Sequence, residues 1–456
     1  MRITVVGGGY VGLTTGVCFA HLGHEVMVVE KVPQKVEMLR SGKSPIYEPG
    51  LEEILKESLQ KGRISFTTDL QEGLDFSEVI FICVGTPQRP DGSADLSQVE
   101  EVARETAKLM NYYKLLIEKS TVPVNTHKLI KKTVQRYLKD PNIPYDVASN
   151  PEFLREGSAI EDFLNPDRIV IGLESQRAKE IFEELYKDFN CPIIYTDPAT
   201  AELIKHASNS FLAMKISFIN MVADLCEKVG ADVKLVADGM GYDKRIGRAF
   251  LNAGIGYGGS CFPKDVKAFI RMAQDYGLDF GLLREVERIN QDRPTRFVEK
   301  VKNVLWSLRD KRLAVWGLSF KPNTDDIREA PSLKVVDMLL REGAYLSLYD
   351  PKAMENFKLV FPEGKQISYA KDMYSAVEGA SALLILTEWE EFVRADLKRV
   401  KELMELPIII DGRNIFEPED VRTYWVYIAP VIFWLRVHLC RPINLGRRGK
   451  DITGPF

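Results

Sequence analysis

The sequence predicts an α/β protein in which two doubly wound domains are joined by a long central helix. In residues 1–120, short apolar segments with the pattern of buried strands alternate with segments of helical length, which is typical of a parallel sheet covered by helices. The same order recurs in residues 312–411, and a long helical pattern lies between the two halves. We therefore expect two Rossmann-like domains.

The composition excludes several classes of protein. The chain has 456 residues, of which 45% are hydrophobic and 28% are charged, as is usual for a globular protein with its own cores. There are 61 Lys and Arg residues against 65 Asp and Glu residues, a net charge of −4. Such a chain has no overall positive field with which to hold nucleic acid or an anionic membrane.

Cysteine usage favours reduced thiols. None of the six cysteines forms a C-x-x-C pair, and most stand in apolar runs, as expected of a cytoplasmic protein without disulfides or a metal site. The N-terminus opens directly with a strand pattern and lacks the features of a signal peptide. We expect a cytoplasmic protein with no metal ion and no integral membrane span.

Residues 7–12 have the pattern G-x-G-x-x-G, with Gly7, Gly9 and Gly12 in the three required places. They follow the first predicted strand and open a helix, and Glu30 ends the second strand. In this setting the glycines let the backbone approach a pyrophosphate at the helix N-terminus, and the acid accepts hydrogen bonds from a ribose. Because a carboxylate repels a 2′-phosphate, we expect NAD rather than NADP.

Two more loops stand at the carboxyl ends of predicted strands. Thr86 lies in a Gly-Thr-Pro turn after the strand at 79–84, and Thr121 lies in a Ser-Thr-Val-Pro turn after the strand at 114–119. Since ligands of open α/β sheets bind at these ends, both threonines are placed to reach a cofactor or a substrate. The alternative is that they are ordinary turn residues.

The central helical pattern covers residues 199–229, directly after Asp197 and Pro198, which suit the N-cap and first turn of a helix. A helix of about thirty residues spans roughly 45 Å, more than one small domain needs. We expect its remaining apolar side chains, including Phe211 and Phe218, to meet a second copy of the chain in a homodimer. The alternative is a central helix that is simply buried.

A glycine-rich segment surrounds the thiol of Cys261. Pro263 predicts that a helix begins directly after the thiol, and Lys264 stands beside it. A thiol at a helix N-terminus near a lysine has a lowered pKa and a larger thiolate fraction. We therefore expect Cys261 to be a reactive nucleophile; the alternative is a buried structural thiol.

Polar side chains in two other segments suit acid–base work. Glu152, in a loop rich in polar residues, is a candidate general base or water-positioning group. Lys205 and Asn209 are four residues apart on the central helix and so share one face, where they could stabilise an oxyanion. His206 lies off that face and is expected to be structural. The alternative for the face is a solvated polar stripe.

Over roughly residues 1–420 these segments resemble the UDP-glucose/GDP-mannose dehydrogenase family. The motifs that carry the resemblance are residues 7–12, 85–87, 120–123, 150–157, 250–254 and 258–265, with Lys205 and Asn209. The resemblance implies an N-terminal NAD-binding domain at 1–197, a central helical linker and dimerisation domain at 198–300, and a C-terminal Rossmann-like UDP-sugar-binding domain at 301–423.

The resemblance also implies roles for individual residues. The implied catalytic residues are Cys261 as nucleophile, Lys205 and Asn209 for oxyanion intermediates, Asp265 and Thr121 for water and proton transfers, and Glu152 for hydrolysis. The implied NAD-binding residues are Gly7, Gly9, Tyr10, Val11, Gly12, Glu30, Lys35, Thr86, Thr121, Glu156 and Lys264. The implied substrate-binding residues are Glu152, Phe153, Leu154, Arg155, Lys205, Asn209, Phe250, Leu251, Asn252, Ala253, Gly254, Gly258, Lys321 and Arg328, with Arg245 reaching across the dimer.

The implied activity is the NAD-dependent, four-electron oxidation of UDP-glucose to UDP-glucuronate for polysaccharide biosynthesis. Two NADH would form per turnover, and the sugar would pass through a thiohemiacetal and a thioester on Cys261. The alternatives in the same class are the oxidation of GDP-mannose or of UDP-N-acetylmannosamine. An alternative of another class is a noncatalytic NAD-sensing or assembly module, which would bind NAD without turnover.

The tail at residues 424–456 departs from the family pattern. Its apolar run, residues 424–435, is shorter than the roughly twenty residues of a spanning helix, and it contains Pro430. Two interpretations are left open: an altered C-terminus that replaces the last strand, and an anchor to a membrane surface.

Overall fold

The computed structural model describes residues 1–417, residue 421 and residues 427–430. Within that part of the chain two separate sheets form, and a group of long helices lies between them in the chain. The predicted class, two Rossmann-like doubly wound domains joined by a long central helix, is confirmed.

The first sheet contains eight of the described strands. In chain order, β1 to β8 are Arg2–Val6, Glu25–Val29, Ile64–Thr67, Val79–Ile82, Lys114–Glu118, Tyr145–Ser149, Ile169–Gly172 and Ile193–Thr196. Their order across the sheet is β3-β2-β1-β4-β5-β6-β7-β8. All neighbours pair in parallel except β6 and β7, which are antiparallel. The first six strands therefore have the strand order of a dinucleotide-binding fold.

Helices cover both faces of this sheet. In chain order, α1 to α8 are Tyr10–His21, Pro33–Arg40, Leu51–Gln60, Leu70–Phe76, Ser97–Leu109, Thr126–Tyr137, Ala159–Leu164 and Gln176–Leu185. One core contains apolar side chains of α1, α3, α7 and α8, and the other contains those of α4, α5 and α6. The strands are buried on both faces because helices pack on each.

The central part of the chain is helical. In chain order, α9 to α12 are Pro198–Val229, Val233–Gly241, Phe262–Asp275 and Gly281–Leu305. The Asp197 side chain accepts a hydrogen bond from the backbone N–H of Thr200 (2.9 Å), Pro198 stands in the first turn, and Gly230 ends α9 at φ 75°. The start predicted from the Asp-Pro pair is confirmed, because this pair caps the helix as expected.

Much of α9 packs against α11 and α12, but one row of apolar side chains is exposed. Phe211 is 57% exposed, Phe218 is 50% exposed and Met221 is 42% exposed. The row continues with Leu225 and Val229, which are more exposed still. The helix is therefore only partly buried within one chain.

The second sheet contains six of the described strands. In chain order, β9 to β14 are Arg312–Trp316, Tyr345–Tyr349, Ile367–Tyr369, Ala382–Ile385, Ile408–Asp411 and Tyr427–Pro430. The helices α13 to α17 are Pro331–Arg341, Met354–Lys358, Met373–Val377, Glu390–Val393 and Leu397–Leu403. The order β11-β10-β9-β12-β13-β14 repeats the arrangement of the first six strands of the other sheet, as the sequence predicted.

The last strand falls in the tail. Residues 427–430 pair in parallel with β13, so these four residues occupy the place of the last strand of the second sheet. The rest of the tail, and with it the choice between an altered terminus and a surface anchor, lies outside the described residues. No helix in the described part of the chain is both long enough and apolar enough to cross a membrane.

The second strands of both sheets end in a carboxylate, but the two acids have different surroundings. Asp350, after β10, is fully buried, and one oxygen accepts hydrogen bonds from the backbone N–H groups of Leu318 (2.7 Å) and Ser319 (3.0 Å) and from Trp389 Nε1 (3.1 Å). Its other oxygen accepts from two backbone N–H groups of the following turn. Asp350 therefore stabilises the surrounding loops through its hydrogen bonds and is not free to bind a ribose.

Candidate active site

The glycine-rich turn between β1 and α1 is shaped for close approach by a ligand. A Cβ on Gly7, whose φ is +108°, would lie 2.6 Å from the carbonyl oxygen of Cys83, and a Cβ on Gly12 would lie 1.9 Å from the carbonyl oxygen of Gly7. Gly9, the N-cap of α1, instead faces open space, with no described atom within 4 Å of its Cβ position apart from those of its own turn. Two glycines are thus needed for packing and the third leaves room, which fits a bound pyrophosphate.

Glu30 borders the same turn. Its carboxylate accepts hydrogen bonds from the backbone N–H groups of Gly8 (2.9 Å) and Val32 (3.0 Å) and is almost fully buried. The acid predicted to bind the ribose therefore lies beside the glycine turn, as an NAD site requires. Lys35, in the first turn of α2, follows Glu30 closely in the chain.

The two predicted threonine loops are joined to each other and to α11. Thr86 Oγ1 donates to the backbone carbonyl of Thr121 over 2.9 Å, and Lys264 Nζ donates to Thr86 Oγ1 over 3.3 Å. The carboxyl ends of β4 and β5 are thereby connected to the helix that follows Cys261. The structure brings together three residues that the sequence predicted only separately.

Cys261 is the N-cap of α11, with Pro263 in the first turn, as predicted. The expected lowering of its thiol pKa is wrong: burial, reinforced by the nearby carboxylate of Glu152, raises the pKa of Cys261 to about 11. The cation that opposes this rise is Lys205 on α9, whereas Lys264 instead lies 3.6 Å from an Asp265 carboxylate oxygen. The protein atoms alone thus favour a neutral thiol.

Lys205 and Glu152 form a buried ion pair beside the thiol. Lys205 Nζ donates to the carboxylate of Glu152 (3.0 Å) and to its backbone carbonyl (2.6 Å), and both side chains are about 95% buried. Burial alone would lower the pKa of Lys205, but Glu152, Cys261 and Asp265 together raise it above its ordinary value. Lys205 is therefore a fixed ammonium group.

Asn209 and Asp265 form a second buried contact between the same helices. Asn209 Nδ2 donates to Asp265 Oδ2 over 2.7 Å. The other oxygen, Oδ1, is buried without a hydrogen-bond partner in the described structure. A buried carboxylate oxygen without a donor is a ready acceptor for a water molecule or a substrate proton. His206 instead contacts the backbone carbonyl of Val122 at 2.7 Å, in line with a structural role.

Glu156 connects the thiol segment to the second Rossmann-like domain. One oxygen accepts from Ser260 Oγ (2.8 Å) and lies 3.5 Å from Arg328, and the other accepts from Thr324 Oγ1 (3.4 Å). Burial and the neighbouring Asp326 raise the pKa of Glu156 to about 7. The carboxylate thus holds residues from both sides of the site and changes charge near neutral pH.

The loop before Cys261 packs tightly against the second domain. A Cβ on Gly258 would lie 2.4 Å from the carbonyl oxygen of Glu329, and a Cβ on Gly259 would lie 2.7 Å from the Phe320 ring. Arg413 donates to the carbonyl of Gly256 over 2.9 Å. The thiol is therefore held between the two halves of the chain.

The predicted substrate segment at residues 250–254 lies on the same seam. Phe250 adopts φ 64° and its ring lies 5.9 Å from that of Phe262. The backbone N–H of Gly254 donates to the Asn220 side chain over 2.8 Å, and Asn414 donates to the carbonyl of Ala253 over 2.9 Å. Leu251 is buried and Asn252 is exposed.

Two cations of the second domain face this region. Lys321 is partly buried, which lowers the pKa of its ammonium group, and it feels the charges of Glu156 and Cys261. Arg328 pairs with Asp326 (2.7 Å) as well as with Glu156. Both cations therefore lie close enough to the thiol to influence it electrostatically.

Two of the residues predicted to bind the substrate have side chains that are exposed and paired with other residues in this single chain. The Arg155 side chain is 62% exposed and pairs with Asp162 (2.5 Å). Arg245 is 89% exposed and pairs with Asp243 (2.6 Å). Its predicted role across a dimer stays a prediction.

The sequence reasoning missed three residues that shape the site. Glu48 is almost fully buried; its carboxylate accepts from Tyr10 OH and from the backbone N–H groups of Gly157 (2.7 Å) and Ala159 (2.8 Å). It thereby joins the start of α1 to the loop of Glu156. Nothing in its local sequence distinguishes it from a surface acid.

Lys119 and Arg168 support the loop of Glu152. Lys119 Nζ donates to the side-chain and backbone oxygens of Asn150 (3.1 and 3.2 Å), and burial lowers its pKa to about 8. The Arg168 guanidinium stacks on the Phe153 ring at 3.7 Å. The only local indication of a role for Lys119 is its position at a strand end. The local sequence gives no indication of a role for Arg168.

Comparison with known proteins agrees with this geometry. Three models of the UDP-glucose/GDP-mannose dehydrogenase family match the chain: the NAD binding domain over residues 1–190, the central domain over residues 199–292 and the UDP binding domain over residues 314–418. The chain is 46% identical to UDP-glucose 6-dehydrogenase TuaD of Bacillus subtilis over 421 residues, which cover 92% of this chain and 91% of the relative.

Solved structures give the same result. A UDP-glucose dehydrogenase from Pyrobaculum islandicum superposes with a TM-score of 0.88 at 40% identity, covering 95% of this chain and 98% of the other. A UDP-D-ManNAc dehydrogenase from Pyrococcus horikoshii superposes with a TM-score of 0.83 at 30% identity, covering 94% and 99% of the two chains.

Proposed function

The chain belongs to the UDP-glucose/GDP-mannose dehydrogenase family, and from this premise we propose that it oxidises UDP-glucose to UDP-glucuronate with NAD as the cofactor. The observation that carries the proposal is the thiol of Cys261 at the start of α11, with the ammonium group of Lys205 and the carboxylate of Asp265 beside it. The identity to bacterial and archaeal enzymes that act on UDP-glucose supports this choice of substrate.

NAD fits the first sheet. Gly7 and Gly12 allow the tight packing of the turn, Gly9 leaves space for a pyrophosphate at the N-terminus of α1, and Glu30 would accept hydrogen bonds from the adenosine ribose. When bound, NAD⁺ supplies a hydride acceptor for each of the two oxidation steps. Thr86 follows β4, at the edge of the sheet where the reactive part of a dinucleotide is expected, and Lys264 of α11 donates a hydrogen bond to it.

Cys261 acts as the nucleophile in this proposal. After the C6 alcohol has lost two electrons as a hydride and one proton, the thiol adds to the aldehyde: sulfur bonds to carbon, and the thiol proton moves to the carbonyl oxygen. Loss of a second hydride and of the hydroxyl proton turns this thiohemiacetal into a thioester. Water then replaces sulfur, which gives the uronate and restores the thiol.

Lys205 and Asn209 are suited to the oxygen that becomes negative in these steps. Lys205 is a buried ammonium group fixed by Glu152, and Asn209 is fixed by Asp265. Because neither side chain must reorganise, both can stabilise developing charge at low cost.

Glu152, Asp265 and Thr121 are the groups we assign to proton and water movements. Asp265 Oδ1 has no hydrogen-bond partner within the described residues and can accept a proton or hold a water molecule. Glu152 adjoins both Lys205 and the thiol, so it can direct the water that cleaves the thioester.

The seam between the domains is our proposed sugar-nucleotide site. The backbone of residues 152–155 and the 250–254 loop would form one wall, and the backbone of Gly258, packed against the carbonyl of Glu329, would border the substrate beside the thiol. Lys321 and Arg328 supply positive charge for a diphosphate from the other wall.

A homodimer completes the proposal. The exposed apolar row of α9, including Phe211, Phe218 and Met221, supports a partner helix, since an exposed apolar row of this kind marks an interaction surface. Arg245, exposed in the single chain, would then reach the partner's site. We also infer a cytoplasmic location, because the sequence has no C-x-x-C pair and most of its cysteines stand in apolar runs.

The test is to count NADH against a panel of sugar nucleotides. UDP-glucose should give two NADH and one UDP-glucuronate per turnover, while GDP-mannose and UDP-N-acetylmannosamine should react at least roughly ten-fold more slowly. Preference for UDP-N-acetylmannosamine would move the assignment toward the activity named for the Pyrococcus horikoshii relative. Binding of NAD without NADH formation from any sugar nucleotide would favour a noncatalytic module.

A further inference from the structure

A groove of about 420 Å³ lies between α5 and α6 of the first domain. It is lined by the loop before α5, by the first turns of α5 and by one face of α6. None of the residues to which we assign a role in the proposed reaction lines it. A volume of this size suits a small ligand.

The groove carries an excess of positive charge. Arg89, Lys132 and Arg136 line it, against one lining acid, Glu100. Glu100 pairs with Arg104 (2.7 Å), and Arg89 pairs with Asp95 (3.2 Å). Lys132 and Arg136 are four residues apart on α6 and form no ion pair with any described residue. Like charges at this spacing repel each other, so an anion between them would relieve the repulsion.

The remaining lining is mixed. Leu96, Leu129 and Ile130 supply an apolar floor, and Leu129 is 52% exposed. Ser97 and Thr133 add hydroxyl groups. At the start of α5 the Asp95 carboxylate accepts a hydrogen bond from the backbone N–H of Ser97 (2.9 Å), so this helix end is already capped and the positive charge of the groove comes from its side chains. The groove therefore suits a ligand with both a phosphate and an apolar part.

Both walls of the groove connect to the active site. Arg89 belongs to the loop that begins with Thr86, whose hydroxyl contacts Thr121 and Lys264. The start of α6 is held by Glu202 of α9, whose carboxylate accepts from the backbone N–H groups of Asn125 (2.6 Å) and His127 (2.9 Å). A ligand that drew the walls together would therefore act on the cofactor loop and on the helix that carries Lys205.

We propose that this groove binds a nucleotide-sized organic phosphate and that the bound ligand changes the rate of the proposed reaction. The phosphate lies between Lys132 and Arg136, beside the paired Arg89, and the apolar part lies on Leu129. The proposal adds a second ligand site to the proposed function. Its binding test measures no turnover, so its failure leaves the proposed reaction standing.

Calorimetric titration tests the binding. ATP and inorganic pyrophosphate are titrated into the full chain saturated with NAD and UDP-glucuronate, which occupy the proposed reaction site. We expect one ATP per chain, bound more tightly than pyrophosphate because pyrophosphate has no apolar part. Absence of further ATP binding under these conditions overturns the proposal.

Matched variants locate the ligand. Lys132→Gln combined with Arg136→Gln should weaken both probes by roughly ten-fold or more, and Leu129→Ser should weaken ATP but not pyrophosphate. Lys128→Gln, an exposed lysine of α6 outside the groove, is the control and should bind like wild type. Unchanged affinity in the double variant overturns the site. The same holds if the molar mass of the double variant, measured by light scattering, falls, which would show that the groove is a contact between subunits.

Kinetics test the coupling. At saturating NAD and UDP-glucose, ATP should change kcat in the wild type and in Lys128→Gln but not in the double variant. Binding of ATP without any change in kcat overturns the regulatory part of the proposal.

Discussion

Asn209 Nδ2 donates to Asp265 Oδ2 over 2.7 Å, and this single bond ties the central helix α9 to the first turn of α11. It fixes one oxygen of Asp265 and leaves the other, buried Oδ1 without a hydrogen-bond partner among the described residues, 3.6 Å from Lys264 Nζ. Asn209, proposed for oxyanion stabilisation, and Asp265, proposed for proton transfer, therefore hold each other in position. Their energetic contributions are expected to be strongly non-additive.

Replacing Cys261 tests covalent chemistry. Cys261→Ala should lower UDP-glucuronate formation by roughly 10³-fold or more, because no thiol remains to capture the aldehyde. NAD binding, measured by fluorescence titration, should stay at the wild-type level since the glycine turn is formed by other residues. Wild-type turnover with two NADH in this variant would mean that Cys261 is structural.

The raised pKa of Cys261, about 11, predicts slow alkylation that accelerates with pH. Below the pKa the thiol is neutral, so the rate with iodoacetamide should rise about ten-fold per pH unit. Glu152→Gln removes a negative charge beside the thiol and should lower its pKa by about one unit, whereas Lys205→Met should slow alkylation. Peptide mapping by mass spectrometry follows Cys261 apart from Cys191. Equal alkylation rates in the wild type and Glu152→Gln would exclude Glu152 as a cause of the raised pKa of Cys261.

Glu156 predicts a pH-dependent stability difference. Its pKa is raised from 4.5 to about 7 in the folded chain, so folding favours the protonated form: this contribution is complete below about pH 4.5 and is lost as the pH rises through 7. Glu156→Gln, always neutral, should therefore gain stability over wild type at pH 8, on the order of 1–3 kcal/mol, and little at pH 4.5.

Thermal unfolding at the two pH values measures this difference. The exposed Glu363→Gln is the control and should shift Tm equally at both. If the change in Tm caused by Glu156→Gln is the same at both pH values, as for the control, the raised pKa of Glu156 is contradicted.

Glu30 predicts cofactor choice. Glu30→Ala should narrow the preference for NAD over NADP by about ten-fold, because the charge that repels a 2′-phosphate is gone. It also leaves the backbone N–H groups of Gly8 and Val32 without their acceptor. Glu30→Gln retains an acceptor and separates the two effects. The readout is kcat/KM for each cofactor, and an unchanged ratio in both variants would assign ribose recognition to another residue.

Arg245 predicts complementation between chains. Arg245→Ala and Cys261→Ala subunits, each inactive alone, should regain up to about one quarter of wild-type activity when mixed and allowed to exchange. Half of the dimers are then mixed, and each has one complete site. Native mass spectrometry verifies exchange. No recovery after verified exchange would remove Arg245 from the partner's site.

Local patterns were enough to predict much of the fold. Asp197 and Pro198 determine the start of α9 through backbone geometry alone, and the spacing of Gly7, Gly9 and Gly12 reflects contacts within a single turn. Such features depend on residues adjacent in the chain, so a single sequence displays them.

Features that depend on distant segments could not be predicted in this way. The pKa of Cys261 is governed by burial and by Glu152, which lies far away in the chain, and the local rule for a helix N-terminus gave the wrong direction. Glu48 binds a loop more than a hundred residues later. Arg168 stacks on the ring of Phe153, and only the folded chain brings this ring next to it.

The tight seam at Gly258 and Gly259 constrains how relatives can be recombined. A chimera that takes the first 300 residues from one family member and the remainder from another places foreign atoms opposite these glycines, where Phe320 and the carbonyl of Glu329 leave no room for a Cβ. Crossovers should therefore carry the 256–260 loop and the 319–330 loop from the same parent. Parents matched in this pair of loops can exchange their nucleotide-binding halves without displacing the thiol.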